Sequence, residues 1–158
     1  MSSVTVGKPV ADFSRPATGG ETVRLSDYLG HHLVLYFYPK ASTPGCTNEG
    51  LAFTELHAAF REAGAEILGA SRDGVKAQEN FRNKQGFTFP LLSDKDEQLC
   101  EQFGVLKEKT MYGRTSVGIE RSTFLIDRDG VLRREWRGVK VPGHAQEVLD
   151  AVHALEKG

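Results

Sequence analysis

LVLYFYPKASTPGC, residues 33–46, decides how this chain is read. Its first six residues are continuously apolar and aromatic, the pattern of a central strand covered on both faces. Pro39, with no N–H to give to a ladder, ends that strand. Thr43 suits a helix N-cap and Pro44 the first helical position, after which Phe53, Leu56 and Phe60 recur at helical spacing. On this count Cys46 is the third helical residue, where a capping box would place a carboxylate. A thiolate there accepts hydrogen bonds from unpaired backbone N–H groups in the partial positive field of the helix end. Helix N-termini favour the ionised thiol, which is the nucleophilic form.

Outward from this junction the turn signals fall at the intervals of alternating strands and helices. Residues 11–15 and 21–25, separated by Thr18-Gly19-Gly20, read as an N-terminal hairpin. The helix begun at Pro44 is expected to run over 44–63 and stop near Gly64. The run 65–70 (AEILGA) is a second buried strand, which makes 33–70 a β-α-β unit. A helix over 75–85 stopped by Gly86, a short strand over 89–92 and a helix from Ser93-Asp94 to Phe103 stopped by Gly104 follow. Residues 105–120 carry no clear period, and a connection of that length is more often functional than idle. Two strands, 122–127 and 131–136, flank Asp129-Gly130, with Arg133 and Glu135 on one face and Leu132 and Trp136 on the other. A closing amphipathic helix over 144–156 is expected to bury Val148, Leu149, Val152 and Leu155.

The 158 residues fit one domain, 1–158, with a core large enough to stand without disulfide staples. Twenty basic and 21 acidic residues nearly cancel, and no basic stripe is interleaved with aromatics, which argues against nucleic acid as a partner. The opening MSSVTVGKPVADF lacks a charged-then-apolar leader and no apolar run is long enough to span a bilayer, so a cytoplasmic, membrane-free protein is expected. Two cysteines are too few for a secreted disulfide framework. His31, His32, His57, His144 and His153 show no metal-ligand spacing, and no metal is expected. His57 lies eleven residues beyond Cys46 on the same helix, about three turns away, which removes it as a Cys-His base. The other four histidines read as surface or loop residues. Lys8, Arg24, Lys107 and Lys109 read as solvated charges.

A hairpin, a β-α-β unit with cysteine at the first strand-to-helix junction, a second hairpin and a closing helix together resemble the thioredoxin fold as peroxiredoxins decorate it. Pro39, Thr43 and Cys46 match the peroxiredoxin pattern of Pro, three residues, Thr or Ser, two residues, Cys, and Arg121 looks like that family's active-site arginine. YFYPK, TPGCT with Glu49, FPLLSD and ERSTFLID are similar to the bacterioferritin comigratory protein subgroup, so the resemblance covers nearly the whole chain. It implies an α/β thioredoxin-like fold with a central mixed sheet flanked by helices. It also implies a cofactor-free antioxidant thiol peroxidase for hydrogen peroxide and organic hydroperoxides. Thioredoxin, or glutaredoxin with glutathione, would be the reductant, and the protein a monomer or weak homodimer. Thr43-x-x-Cys46 also has the spacing of a redox C-x-x-C whose first thiol is replaced, which weighs against a disulfide oxidoreductase.

Under this reading Cys46 attacks peroxide, and the Thr43 hydroxyl, the Arg121 guanidinium and the Cys46 N–H are donors to the peroxide oxygens. The resemblance gives Pro39 the role of a shape element over the sulfur, and Glu49 is expected to orient Arg121. The two resolving positions usual in the subgroup hold Leu51 and Arg82 here. Cys100 is then the possible resolving thiol, though a free cysteine commonly packs as a small hydrophobe. The leading expectation is a one-cysteine cycle through a sulfenic acid, with a two-cysteine cycle through Cys100 as the alternative. A redox-sensing binding protein is the competing function, and an assembly role ranks last for want of a long apolar face.

Overall fold

The computed structural model describes residues 4–157, so Met1, Ser2, Ser3 and Gly158 of the leader-free, single-domain reading lie outside the described residues. Strands β1 (Ser14–Pro16) and β2 (Thr22–Arg24) pair antiparallel around a short 3-10 turn at Thr18–Gly20. Then come β3 (His32–Phe37), α1 (Pro44–Glu62), β4 (Ala65–Ser71), α2 (Val75–Gln85), β5 (Leu91–Ser93) and α3 (Gln98–Phe103). The chain closes with β6 (Leu106–Met111), β7 (Arg114–Ile119), β8 (Ser122–Ile126), β9 (Leu132–Arg137) and α4 (His144–Lys157). The central sheet has the order β5-β4-β3-β8-β9, with β3, β4 and β5 parallel and β8 and β9 antiparallel. This is the α/β thioredoxin-like fold.

Every residue of β3 is buried, as its apolar run requires. Leu33, Leu35 and Phe37 enter one core with Phe13, Leu25, Leu99 and Phe103, beneath the N-terminal segment and α3. Val34, Tyr36 and Tyr38 enter the other core with Phe53, Phe60, Phe81 and Val148, beneath α1, α2 and α4. The strand's period of two therefore sorts the molecule into two layers. Cys46 belongs to the second core and Cys100 to the first, so the sheet stands between the two cysteines.

Several expectations are corrected. Residues 105–120 form the antiparallel hairpin β6–β7, turned by Tyr112 and Gly113, both in the left-handed region (φ 52° and 74°). Nearly every residue of that hairpin is solvated, so it has no buried face to write a period into the sequence. Pro90, lacking an N–H, pushes β5 to start at Leu91. Helix α3 starts at Gln98, four residues after Asp94. The buried Asp94 carboxylate nevertheless caps it, accepting the N–H groups of Leu99 (2.9 Å) and Cys100 (2.7 Å). A bulge at Arg133 separates the partners of Leu125 and Ile126, which are Arg134 and Leu132. The extra residue reverses the alternation, placing Leu132 in the first core and Trp136 against the second. His32 and His144 are buried, not superficial. His32 Nε2 meets Glu156 Oε1 at 2.9 Å and His144 Nε2 meets Thr123 Oγ1 at 2.7 Å.

Gly50 on α1 faces Phe87, whose Cζ would lie 2.3 Å from a Cβ at that position. Arg82, at the end of α2, steadies the loop that carries Phe87 by donating Nε–H to the Phe89 carbonyl at 2.9 Å. Gly50→Ala gains about 1 kcal/mol of helix propensity and meets an overpacking cost of about 1–3 kcal/mol. We expect a lower urea midpoint, with a double-mutant cycle against Phe87→Leu showing strong non-additivity. Additive effects would refute the clash.

Candidate active site

Helix α1 opens as the sequence indicates, with Thr43 extended at the N-cap (φ −93°, ψ 154°) and Pro44 at the first position. The first bond of its ladder runs from the Thr47 N–H to the Thr43 carbonyl at 2.9 Å. Pro44 has no N–H, so the N–H groups of Gly45 and Cys46 stand ahead of that ladder at the positive end of the helix. The Thr43 hydroxyl does not cap. It turns back and donates to the Lys40 carbonyl at 2.8 Å, which leaves its lone pairs, not its proton, available.

Cys46 is 1% exposed. Arg121, in the short link between β7 and β8, lays its guanidinium across the opening of α1. Nη2 approaches Cys46 Sγ at 3.7 Å while Nη1 donates to Glu49 Oε1 at 2.7 Å. Cys46 and Glu49 are three residues apart and share one face of α1, which is why a single guanidinium reaches both. Gly45 makes the approach possible, because a Cβ there would stand 3.1 Å from Arg121 Nη2. The Arg121 backbone is fixed in turn, its carbonyl accepting the Val139 N–H at 2.9 Å.

Burial pushes the Glu49 carboxyl up to about 7, against the pull of Arg121. Its Oε2 has no hydrogen-bond partner. Burial also works against the charge of Arg121, but the Glu49 carboxylate and then the Cys46 sulfur outweigh it and raise the guanidinium above its ordinary value. One cation thus serves two acidic groups in a nearly dry setting. On the same side of the sheet His144 is pushed down to about 4, chiefly by burial, and stays neutral against Thr123.

The structure therefore brings Cys46, Arg121 and Glu49 together, with Thr43 in the same turn. Pro39 stands exposed just beyond the end of β3. Cys100 is fully buried across the sheet, its thiol held well above the ordinary range by burial and by its hydrogen bond with Asp94. Leu51 is exposed on α1. The close pass of Arg121 over Gly45 and the Thr123–His144 hydrogen bond on the same side of the sheet went unread, because each joins segments distant in the sequence. Among the described residues no group of three or more His, Cys, Asp and Glu could hold a metal, and no helix is long and apolar enough to cross a membrane.

What the fold and the surroundings of this sulfur define together is a thiol enzyme of the peroxiredoxin class. The AhpC/TSA family matches residues 6–135. Peroxiredoxin Bcp of Xanthomonas campestris is 54% identical over 159 residues, covering 99% of both chains, and Peroxiredoxin Bcp of Bacillus subtilis is 45% identical over 155 residues, covering 98% of this chain and 99% of its own. A solved structure of the Xanthomonas campestris bacterioferritin comigratory protein, studied for its alkyl peroxide reduction activity, superposes with a TM-score of 0.88 at 54% identity. It covers 91% of this chain and 92% of its own. The chain belongs to the AhpC/TSA family, in its bacterioferritin comigratory protein group.

Because Glu49 titrates above its ordinary 4.5, the folded protein holds that proton more tightly than the unfolded chain does. Its contribution to stability is full below about 4.5 and is lost as pH rises through about 7. Over the upper part of that window the carboxylate gains the charge that grips Arg121. The rate of Cys46 oxidation should rise with pH through about 7, and Glu49→Gln should remove that component in stopped-flow measurements. Gly45→Ala should slow the same step about tenfold by displacing Nη2, with no fall in melting temperature. An unchanged rate would show that the close approach is dispensable.

Proposed function

We propose that this protein is a thiol peroxidase that reduces hydrogen peroxide and organic hydroperoxides at Cys46, in antioxidant defence and cell redox homeostasis. The observation that carries the reading is the buried sulfur within 3.7 Å of a guanidinium that is itself anchored on Glu49. The Cys46 thiolate attacks one peroxide oxygen along the O–O axis. The S–O bond forms as the O–O bond breaks, sulfur is oxidised to sulfenic acid, and hydroxide or alkoxide leaves and takes up a proton. Negative charge moves from sulfur to the departing oxygen, and Arg121 with the Cys46 N–H supplies donors along that path. Thr43, whose proton is committed to Lys40, accepts the peroxide O–H. Pro39 borders the mouth of the site and limits entry.

Reduction then consumes two external thiols, returning Cys46 to the thiol and releasing water and a disulfide. The separation of Cys100 from Cys46 by the sheet, and its burial against Asp94, support a one-cysteine cycle served by thioredoxin or by glutathione with glutaredoxin in the cytoplasm. A sulfenic acid at so enclosed a site must be uncovered to meet a thiol. Unwinding of the first turn of α1 does this, and the packing of Gly50 on Phe87 sets where it stops. Hydrogen exchange over residues 43–52 should accelerate after oxidation, and unchanged protection would reject the unwinding.

Cys46→Ser should abolish peroxide consumption and Arg121→Ala should lower it by about 10²–10³, whereas Cys100→Ala should leave it intact. After one equivalent of peroxide, non-reducing mass spectrometry should show Cys46 carrying one added oxygen. A Cys46–Cys100 disulfide in high yield would replace the one-cysteine cycle. Oxidation no faster than that of a free cysteine thiolate would favour a sensor over an enzyme.

A further inference from the structure

On the edge of the sheet where Cys46 lies, a cleft of about 310 Å³ opens between the loops that follow the three parallel strands. It is lined by Pro39 and Lys40 after β3, Arg72 and Asp73 after β4, and Lys95 and Glu97 after β5. The carboxyl ends of parallel strands are where open α/β sheets receive ligands, in the crevice formed as their loops diverge. The chain passes from this cleft directly into the turn that presents Thr43 and Cys46, and the Lys40 carbonyl already holds the Thr43 hydroxyl.

The charges in the cleft are unevenly committed. Arg72 Nη1 is paired with Glu97 Oε2 at 2.8 Å, and its Nη2 donates to the Val117 carbonyl at 2.9 Å. Asp73 Oδ2 accepts the Ala41 N–H at 2.8 Å and the Ser71 hydroxyl at 2.6 Å. Lys40 and Lys95 are exposed, and among the described residues neither ammonium has a carboxylate partner. Glu97 and Ser42 both adopt left-handed backbone (φ 66° and 65°), a conformation that residues with side chains avoid, and Glu97 thereby sits where it occupies Arg72. The result is two free cations beside a site whose own cation, Arg121, is already taken by Glu49 and the sulfur.

We propose that this cleft is a subsite for a carboxylate carried by one of the two reaction partners of Cys46, held by the Lys40 and Lys95 ammonium groups. The partner is an anionic hydroperoxide or an anionic thiol, and the inference rests on the peroxidase reading above. Neutral partners react at the same sulfur without this hold. Neither lysine side chain touches the sulfur, so the cleft discriminates among partners and leaves the bond-breaking step to Arg121.

The test compares each acid with its own ester on the intact protein. One arm measures the second-order rate of Cys46 oxidation by a hydroperoxy acid and by its methyl ester. The other measures reduction of the sulfenic acid by glutathione and by its diethyl ester. An exposed ion pair is worth up to about fivefold in rate or affinity, so the acid should outpace the ester by about five- to tenfold in one arm, which identifies the partner. Lys40→Gln with Lys95→Gln should bring that ratio to about one and leave the ester rate within about twofold, and Lys40→Arg with Lys95→Arg should preserve it. Raising salt to 1 M, where the screening length falls to about 3 Å, should also collapse the ratio. Equal acid and ester rates in both arms, or a ratio untouched by the double glutamine variant, overturns the subsite alone. Failure of acid and ester alike to oxidise Cys46 overturns the peroxidase reading together with the subsite.

Discussion

The geometry of the candidate site depends on one guanidinium placed between two acidic groups. Arg121 reaches Glu49 Oε1 at 2.7 Å and Cys46 Sγ at 3.7 Å, with Glu49 only 2% exposed. A buried ion pair of this kind is a poor source of stability, because removing both charges from water costs about as much as their attraction returns. The carboxyl's rise to about 7 has the same cause, since burial outweighs a cation within hydrogen-bonding distance. Such an arrangement is better understood as orientation. Glu49 fixes the plane of the guanidinium, and the second arm of that plane falls on the sulfur.

The rest of the fold keeps that geometry exclusive. β3 is buried along its whole length and carries the loop into α1, so the turn that holds Cys46 is anchored by a fully enclosed central strand of the sheet. β8 is the antiparallel neighbour of β3, and this pairing brings Arg121, just before β8, back over the end of the strand from which α1 departs. The same sheet separates the two thiols into opposite cores. Cys100 lies in one core with Leu99, Phe103 and Val105, and Cys46 lies in the other.

The path of the chain was legible where one face or both had to be apolar. The run 33–38, the amphipathic α1 and α4, and the Asp129-Gly130 turn all announced themselves, and the N-cap reading of Thr43 placed Cys46 in the correct turn of helix. The polar contacts were not legible in the same way. Glu49 and Arg121 lie 72 residues apart, and only the family pattern, not their spacing, joined them. His32 and His144 were misplaced because the partners that make their burial tolerable, Glu156 and Thr123, come from distant segments. The hairpin β6–β7 escaped because it projects into solvent on both faces. The bulge at Arg133 escaped because one extra residue changes the parity of a strand without changing its composition.

That bulge also bears on how copies of the chain meet one another. β9 is an outer strand of the sheet, and a straight outer strand offers its unpaired backbone groups to any neighbouring polypeptide. Here the irregularity at Arg133 bends the strand, and Arg134, Glu135 and Arg137 line it with charge. At the opposite margin Ala17 bridges to Leu92 and occupies part of the other outer strand. Continuation of the sheet from molecule to molecule is thereby discouraged on both sides. Edge-to-edge association through backbone hydrogen bonds, the route to fibrous growth, is closed at these two margins, and contact between copies falls to surfaces made of side chains.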